Sequence, residues 1–309
     1  MKTKALKVYN QAVDASVSNE YPTSHEAFRQ PCLQMIVGQR TAGKSYLAAK
    51  ILAQAQKEKT FDVIYIITPS WNSNKGYFGR FIKPENVYEP TSSSVQDVIN
   101  RVEADRDEWE KFLADKKLYE EFEKDRQGEL LLHIDPYKLM SYYDAGFMSR
   151  KKPKWKYERE EPPKSLLIMD DCLGSPAILQ SSGLTRIATL NRHIAPLEKN
   201  HGERSACGLA VMILTQTYKM QQGIGRCLRE NLSLLTLFKN RQEKQMDAVR
   251  EELANVVPEH LFTQAYDHAT KEKYGNLTVD FKPKCPLLTF RKNLSTALTF
   301  AELPCDCQK

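Results

Sequence analysis

Gly38-Gln39-Arg40-Thr41-Ala42-Gly43-Lys44-Ser45 fits G-x-x-x-x-G-K-[ST], entered by a short apolar run from Met35 and left by the alanine- and leucine-rich Tyr46 to Leu52. Those flanks matter, because the pattern carries chemistry where a strand enters it and a helix leaves it. Gly38 and Gly43 can take backbone angles closed to other residues, so successive N–H groups can turn inward on one oxyanion. The following helix N-terminus adds its partial positive charge. Lys44 would reach the β- and γ-phosphates of a nucleotide, and Ser45 would offer a hydroxyl to Mg²⁺. Gly38 through Tyr46 is therefore the candidate nucleotide-binding segment, with Arg40 read as a solvated loop residue.

A second set of chemistry-bearing residues closes two other apolar runs. Asp170 and Asp171 follow Leu166 to Met169, and Gln216 follows Gly208 to Thr215. Two adjacent carboxylates at the end of a greasy strand are poorly explained by packing. Beside a phosphate loop, the first would hold Mg²⁺ directly or through water, and the second would orient and deprotonate an attacking water. Gln216 would bring an amide to the same sheet edge, where open α/β sheets bind ligands, and is suited to sense a γ-phosphate or position water.

The elements that must hold these groups are legible as apolar runs. Phe61 to Ser70 is β-branched and reads as a buried strand, as do the runs within Asn231 to Asn240. Gly275 to Phe290 reads as a strand pair around a Lys-Pro-Lys turn. From about Val95 to Arg126 the chain is highly charged, with Trp109, Phe112, Leu113, Tyr119 and Phe122 near helical spacing and Glu120 four residues before Lys124. This predicts a helix packed by one greasy face on its own domain. Arg150 to Lys164 interleaves Lys152, Lys154 and Lys156 with Trp155 and Tyr157. The segment reads as a solvated connection, and its three lysines are the DNA-binding candidates, since basic side chains attract backbone phosphates while rings pack on sugars or bases.

Composition sets outer bounds. The 309 residues supply ample core for one large or two small domains. The 45 Lys+Arg against 39 Asp+Glu leave a net charge of +6, compatible with nucleic-acid contact. Seven cysteines, an odd number without C-x-x-C pairs, point to reduced thiols in a cytosol-like compartment. Cys305 and Cys307, with Cys285 upstream, fall one ligand short of a metal site, and no nearby His completes it. No apolar run has the length of a signal peptide or a bilayer span, so a soluble protein is expected.

Further stretches carry a family likeness. "IYIITPS" after the phosphate-loop helix, the Asp-Asp acidic pair, "LNRHI" at Leu190 to Ile194, "LTQ" at Leu214 to Gln216, "RCLREN" and "LFTQAYDHATKEKYGNLTVDF" together resemble the genome-packaging ATPases of large DNA viruses, virophages and related transposons, within the FtsK/HerA superfamily. The resemblance covers about Gln30 to Asn293. It implies an α/β fold of the RecA-like (ASCE) P-loop NTPase type, a central mostly parallel sheet flanked by helices. The sensor strand would lie between the P-loop and acidic strands. The expected layout is an N-terminal arm over 1–30, an ATPase domain over 31–293 with a charged excursion at about 95–164, and a tail over 294–309.

The same resemblance implies ATP and Mg²⁺ as cofactors and a homo-oligomeric ring, hexamer or pentamer, around double-stranded DNA. Capsid or portal proteins would be its partners, and the host cytoplasm or virion its location. Asp170 matches the metal acid, Asp171 the catalytic acid and Gln216 the sensor. Arg192 looks like the arginine that reaches a nucleotide, its own or a neighbour's, with Arg229 second and Arg226 behind it. His193 reads as structural, since Asp171 already serves as base. One departure stands out: "IAPLEKNHGERSACG" separates Arg192 from the sensor strand, where relatives run almost directly from one to the other.

Three other functions compete with a packaging motor. A helicase or DNA-mobilisation pump of the same superfamily would carry the same motifs. A GTPase switch would need Asn-Lys-x-Asp, and "SNKGY" lacks the acid. A non-enzymatic scaffold would not need Lys44, Ser45, Asp170, Asp171 and Gln216 all intact.

Overall fold

The structure, a computed structural model, describes residues 2–5, 28–127, 133–149, 151–201, 204–219, 224–240, 243–254, 257–283 and 285–301. The central strands are short and buried along their whole length: β2 (Leu33–Val37), β5 (Ser165–Asp170), β8 (Leu209–Thr215) and β9 (Leu234–Phe238). Side chains alternate across a strand, so Met35 and Val37 enter the core on one face of the sheet while Ile36 enters the core on the other. Both faces need cover, and this is why these runs are continuously apolar rather than alternating.

With β3 (Val63–Ile67) and β4 (Val87–Tyr88), these strands form a parallel block in the order β4-β3-β5-β8-β2-β9. The expected sensor position is met: β8 lies between β2 and β5. Beyond β9 the sheet turns antiparallel through β10 (Asn276–Asp280), β11 (Phe290–Lys292), β12 (Thr296–Thr299) and β1 (Lys2–Ala5), making ten strands among the described residues. Of the pair expected around the Lys-Pro-Lys turn, the first strand is β10, but the second forms later than expected: Pro286–Leu288 is a short 3-10 helix, and the partner of β10 is β11, in register from Leu277↔Lys292 to Val279↔Phe290. The boundaries at 30 and 294 need correction, because β1 and β12 complete the sheet and Leu294, Ala297 and Leu298 are buried.

Helix α1 (Lys44–Lys57) follows β2, and α2 (Trp71–Phe78) follows β3. The charged excursion is α3 (Ser94–Gln127), with Trp109, Phe112 and Phe122 on its buried face. It is followed by α4 (Pro136–Asp144), then by α5 (Pro176–Leu179) and α6 (Ser182–Leu190) after the acidic strand. The segment 151–164 is not the loose connection its composition predicts. Trp155 packs edge-on against Trp109 at 5.0 Å between ring centroids and lies 5.5 Å from Phe112, so burial of aromatic surface straps it to α3. The insertion after Arg192 forms a two-stranded hairpin, β6 (Pro196–His201) with β7 (Arg204–Ala206). Arg106 on α3 donates to the Pro196 carbonyl at 2.7 Å. Helices α7 (Ile224–Glu230), α8 (Glu243–Leu253) and α9 (Glu259–Ala269) complete the described elements.

Candidate functional site

The loop from Gly38 to Gly43 joins β2 to α1 at the C-terminal edge of the parallel strands. Gly38 N–H donates to the Thr215 carbonyl at 3.0 Å, fastening the start of the loop to the end of β8. Gly43 has φ +104, a region that favours glycine. A Cβ on Gly38 would stand 3.0 Å from Phe238 and 3.1 Å from Ala42, so close packing rather than its backbone angle favours glycine there. Lys44 starts α1 and is buried, its Nζ donating to the carbonyls of Gly38 at 2.9 Å and Gln39 at 3.5 Å. Burial lowers its pKa, while Asp171 and Asp170 act in the opposite direction.

Asp170 is the last residue of β5 and is buried. Its Oδ2 accepts from Thr68 Oγ1 at 3.2 Å and from Asn74 Nδ2 at 2.5 Å. Burial and the neighbouring Asp171 charge raise its pKa, against the hydrogen bonds from Thr68 and Asn74 and the charge of Lys44. Asp171 leaves the strand in the left-handed region at φ +46, a strained conformation of the kind found at functional sites. Its N–H donates to the Leu214 carbonyl at 3.0 Å. Its side chain stands 4.0 Å from Lys44 Nζ through Oδ1 and accepts from Gln216 Nε2 at 3.4 Å through Oδ2. The ends of β2 and β5 thus open on one cleft of about 780 Å³, and Gln216, at the end of β8, touches it only through Asp171. Lined on one side by Ser45, Ser70, Asn74, Tyr77, Asp170 and Asp171, the cleft is lined on the other by Phe238, Lys273, Tyr274, Asn276 and Asn293.

The fold is that of a RecA-like P-loop NTPase. That assignment rests on the strand order and on the loop seated between β2 and α1. No family model and no curated protein matches the chain. Among solved structures it is similar to the genome packaging NTPase B204 from Sulfolobus turreted icosahedral virus 2 in complex with ATPγS, at 15% identity over 86% of this chain and 98% of that chain, with a TM-score of 0.41. It is also similar to the conjugation coupling protein TcpA of pCW3, at 10% identity over 70% of this chain and 51% of that one, with a TM-score of 0.37. A third is the cytoplasmic domain of the type VII secretion ATPase EccC of Thermomonospora curvata, at 14% identity over 69% and 21%, with a TM-score of 0.34.

Of the residues expected in the site, Gln39 to Tyr46, Asp170 and Asp171 line this one cleft, Arg40 as an exposed rim residue. The arginines are elsewhere. Asn191, beside Arg192, donates to the carbonyl of Leu209, the first residue of β8, at 3.2 Å. Arg192 therefore sits exposed at the N-terminal ends of the strands, roughly 20 Å from their other edge at about 3.3 Å per residue. It cannot reach the Lys44 of its own chain. Arg229 needs a correction as a finger: its side chain is 5% exposed and its Nε bonds both oxygens of Glu252 at 3.1 and 2.9 Å, tying α7 to α8. Arg226 is exposed and pairs with Glu230 within its own helix at 2.8 Å. His193 is exposed in the same short turn as Arg192.

Of the DNA-binding candidates, Lys152 and Lys154 are exposed. Lys156 instead pairs with Asp105 at 2.5 Å and Glu108 at 2.7 Å on α3. Cys305 and Cys307 lie outside the described residues; Cys285 is buried. Sequence reasoning missed Thr68 and Asn74, although a polar residue closing a buried strand was a readable signal at Thr68. It also missed the wall from Phe238 to Asn293, which no spacing rule brings to the P-loop.

No helix among the described residues is long and apolar enough to cross a membrane.

Proposed function

We propose that this chain is an ATP-hydrolysing motor that translocates double-stranded DNA into a capsid. The observation that carries the catalytic half is the meeting of Lys44, Asp171 and Gln216 at the ends of three adjacent strands, Lys44 and Asp171 lining one cleft and Gln216 hydrogen-bonded to Asp171. The DNA-packaging half rests on the sequence resemblance, including the Asn191-Arg192-His193 signature before the sensor strand.

Oxygen donors suit a hard cation that keeps several waters and takes one or two carboxylates plus substrate phosphates. Ser45 and Asp170 supply such donors in the same cleft, and they are the residues that would hold Mg²⁺. When bound, the ion would neutralise charge on the β- and γ-phosphates. The protein's own groups do the rest. Lys44, together with the loop between β2 and α1, would position the triphosphate. Thr68 and Asn74 orient Asp170. Asp171 accepts the proton of the attacking water, and Gln216, hydrogen-bonded to Asp171, aligns that water. Arg192 acts on the nucleotide of a neighbouring subunit in a ring, since its own is at the far edge of the sheet.

The test measures Mg²⁺-dependent ATP hydrolysis with and without duplex DNA, together with co-purification with capsid components. Hydrolysis stimulated by duplex DNA of any sequence, with capsid association, is the expected result. Absence of hydrolysis in the assembled protein would overturn the motor reading. Stimulation without capsid association would favour a DNA-mobilisation pump.

A further inference from the structure

Across the cleft from the two aspartates lies a wall with no role in phosphate chemistry. If the P-loop holds the γ-phosphate beside Asp171, the base of the same nucleotide must lie at the opposite end of the triphosphate. That end is faced by Phe238, Lys273, Tyr274, Asn276 and Asn293. We infer that Tyr274 and Asn293 form a purine seat that takes adenine and guanine with similar affinity. The inference rests on the nucleotide reading of this cleft and deepens it.

Tyr274 supplies the stacking face. Its ring carbon Cδ1 would be 3.7 Å from a Cβ on Gly43, directly beside the phosphate loop, yet the residue is 58% exposed. It is held in an uncommon backbone conformation, φ +66, by a turn in which Gly275 N–H donates to the Glu272 carbonyl at 3.0 Å. Asn276 Nδ2 also donates to the Tyr274 carbonyl at 3.3 Å. A strained, braced and exposed aromatic ring on a cleft wall is a poor use of surface unless something stacks on it. Lys273 Nζ stands 5.0 Å from the ring centroid. Two other tyrosines line the cleft: Tyr77 shares α2 with Asn74 on the acid side, and Tyr46 lies in the first turn of α1.

Asn293 decides which bases are read. Its Oδ1 accepts from the backbone N–H of Asn276 and from Asn276 Nδ2, both at 3.1 Å. A backbone N–H can only donate, so the orientation of this amide is fixed, and Asn293 has only its NH₂ left to offer. That donor suits an acceptor such as N7, which both purines share and pyrimidines lack. Preference for adenine would need an acceptor for its 6-amino group, and preference for guanine an acceptor for its N1–H or a donor aimed at O6; the ammonium of this wall, Lys273 Nζ, stands instead over the Tyr274 ring. No carboxylate lies among the described residues of this wall, and Asn276 Oδ1 is enclosed and has no partner among them.

Competition binding with ATP, GTP, CTP, UTP and base-free tripolyphosphate tests the seat. ATP and GTP should bind within about threefold of each other, and CTP and UTP about tenfold more weakly, given the usual strength of base–aromatic stacking. Tyr274→Ala should bring the purines down to the pyrimidine level with tripolyphosphate affinity unchanged. Asn293→Asp, which keeps both acceptor contacts to Asn276 but replaces the NH₂ donor by a carboxylate oxygen able to accept from the 6-amino group of adenine, should weaken GTP more than ATP. Tripolyphosphate binding with equal affinity for all four nucleotides, or a preference between ATP and GTP above about tenfold, would overturn the seat and leave the P-loop reading standing. Failure of tripolyphosphate and every nucleotide to bind would overturn both.

Discussion

The Gln216 amide reaches the Asp171 carboxylate at 3.4 Å although the two residues end different strands. The contact spans the join between β5 and β8, so any tilt of one strand against the other changes where the acid points. In the proposed mechanism, the residue that would sense a γ-phosphate is thereby linked to the one that would remove a proton from water.

Asp171→Asn should lower turnover by about 10² to 10⁴, the range typical of a general base, while nucleotide affinity stays near that of the parent. Lys44→Ala should weaken binding itself, because it removes the cation that faces the phosphates. Single-turnover hydrolysis beside equilibrium nucleotide binding separates the two. Unchanged turnover in Asp171→Asn would remove it as the base.

Asp170 sets a pH dependence. Its pKa is raised in the fold by burial and by the charge of Asp171. The folded state thus holds that proton more tightly than the unfolded chain does, a gain present below the unfolded pKa and lost as pH rises through the folded one. At neutral pH the ionised group is a net cost to stability. Calorimetry in chelator should show Asp170→Asn melting a few degrees higher than the parent at neutral pH, with the gap closing as pH falls into the carboxylate range, while Mg²⁺-dependent turnover is lost. A variant that melts lower at neutral pH would contradict the sign.

The lysines of 151–164 should divide by role. Neutralising Lys152 and Lys154 together should reduce the slope of log affinity for duplex DNA against log salt by about 0.9 for each phosphate that a lysine no longer neutralises. Lys156→Gln should leave the slope alone and lower thermal stability instead, since its charge is spent on Asp105 and Glu108 of α3. Equal slopes for the double variant and the parent would take the segment off the DNA surface.

Arg192 should act between subunits. Mixing Arg192→Ala with Asp171→Asn, each inactive alone, should restore part of the turnover wherever an intact arginine meets an intact acid site. The recovered step is large, because an arginine finger contributes about 10³ to 10⁵ in related phosphoryl transfer. If both proteins assemble and the mixture stays inactive, Arg192 is not a donor in trans.

What the sequence determined by itself is whatever depends on near neighbours along the chain. The octapeptide from Gly38 to Ser45 needs only a strand before it and a helix after it, and both are written in the flanking residues. Asp170, Asp171 and Gln216 were legible because each sits at the end of a buried run, and parallel strands place their C-terminal ends at one edge. The greasy face of α3 followed in the same way from helical spacing.

Tertiary structure decided everything that turns on which distant surfaces meet. Thr68 and Asn74 reach Asp170 because β3 pairs with β5, and Tyr274 and Asn293 reach the P-loop because the antiparallel strands continue the sheet past β9. Arg229 looked as free as Arg192 until folding brought Glu252 against it, and burial of a cation in that pair removed it from reach. Periodicity reports which face of an element is apolar, but not which element covers it. Packing between segments far apart in the chain therefore fixed the partners of these side chains.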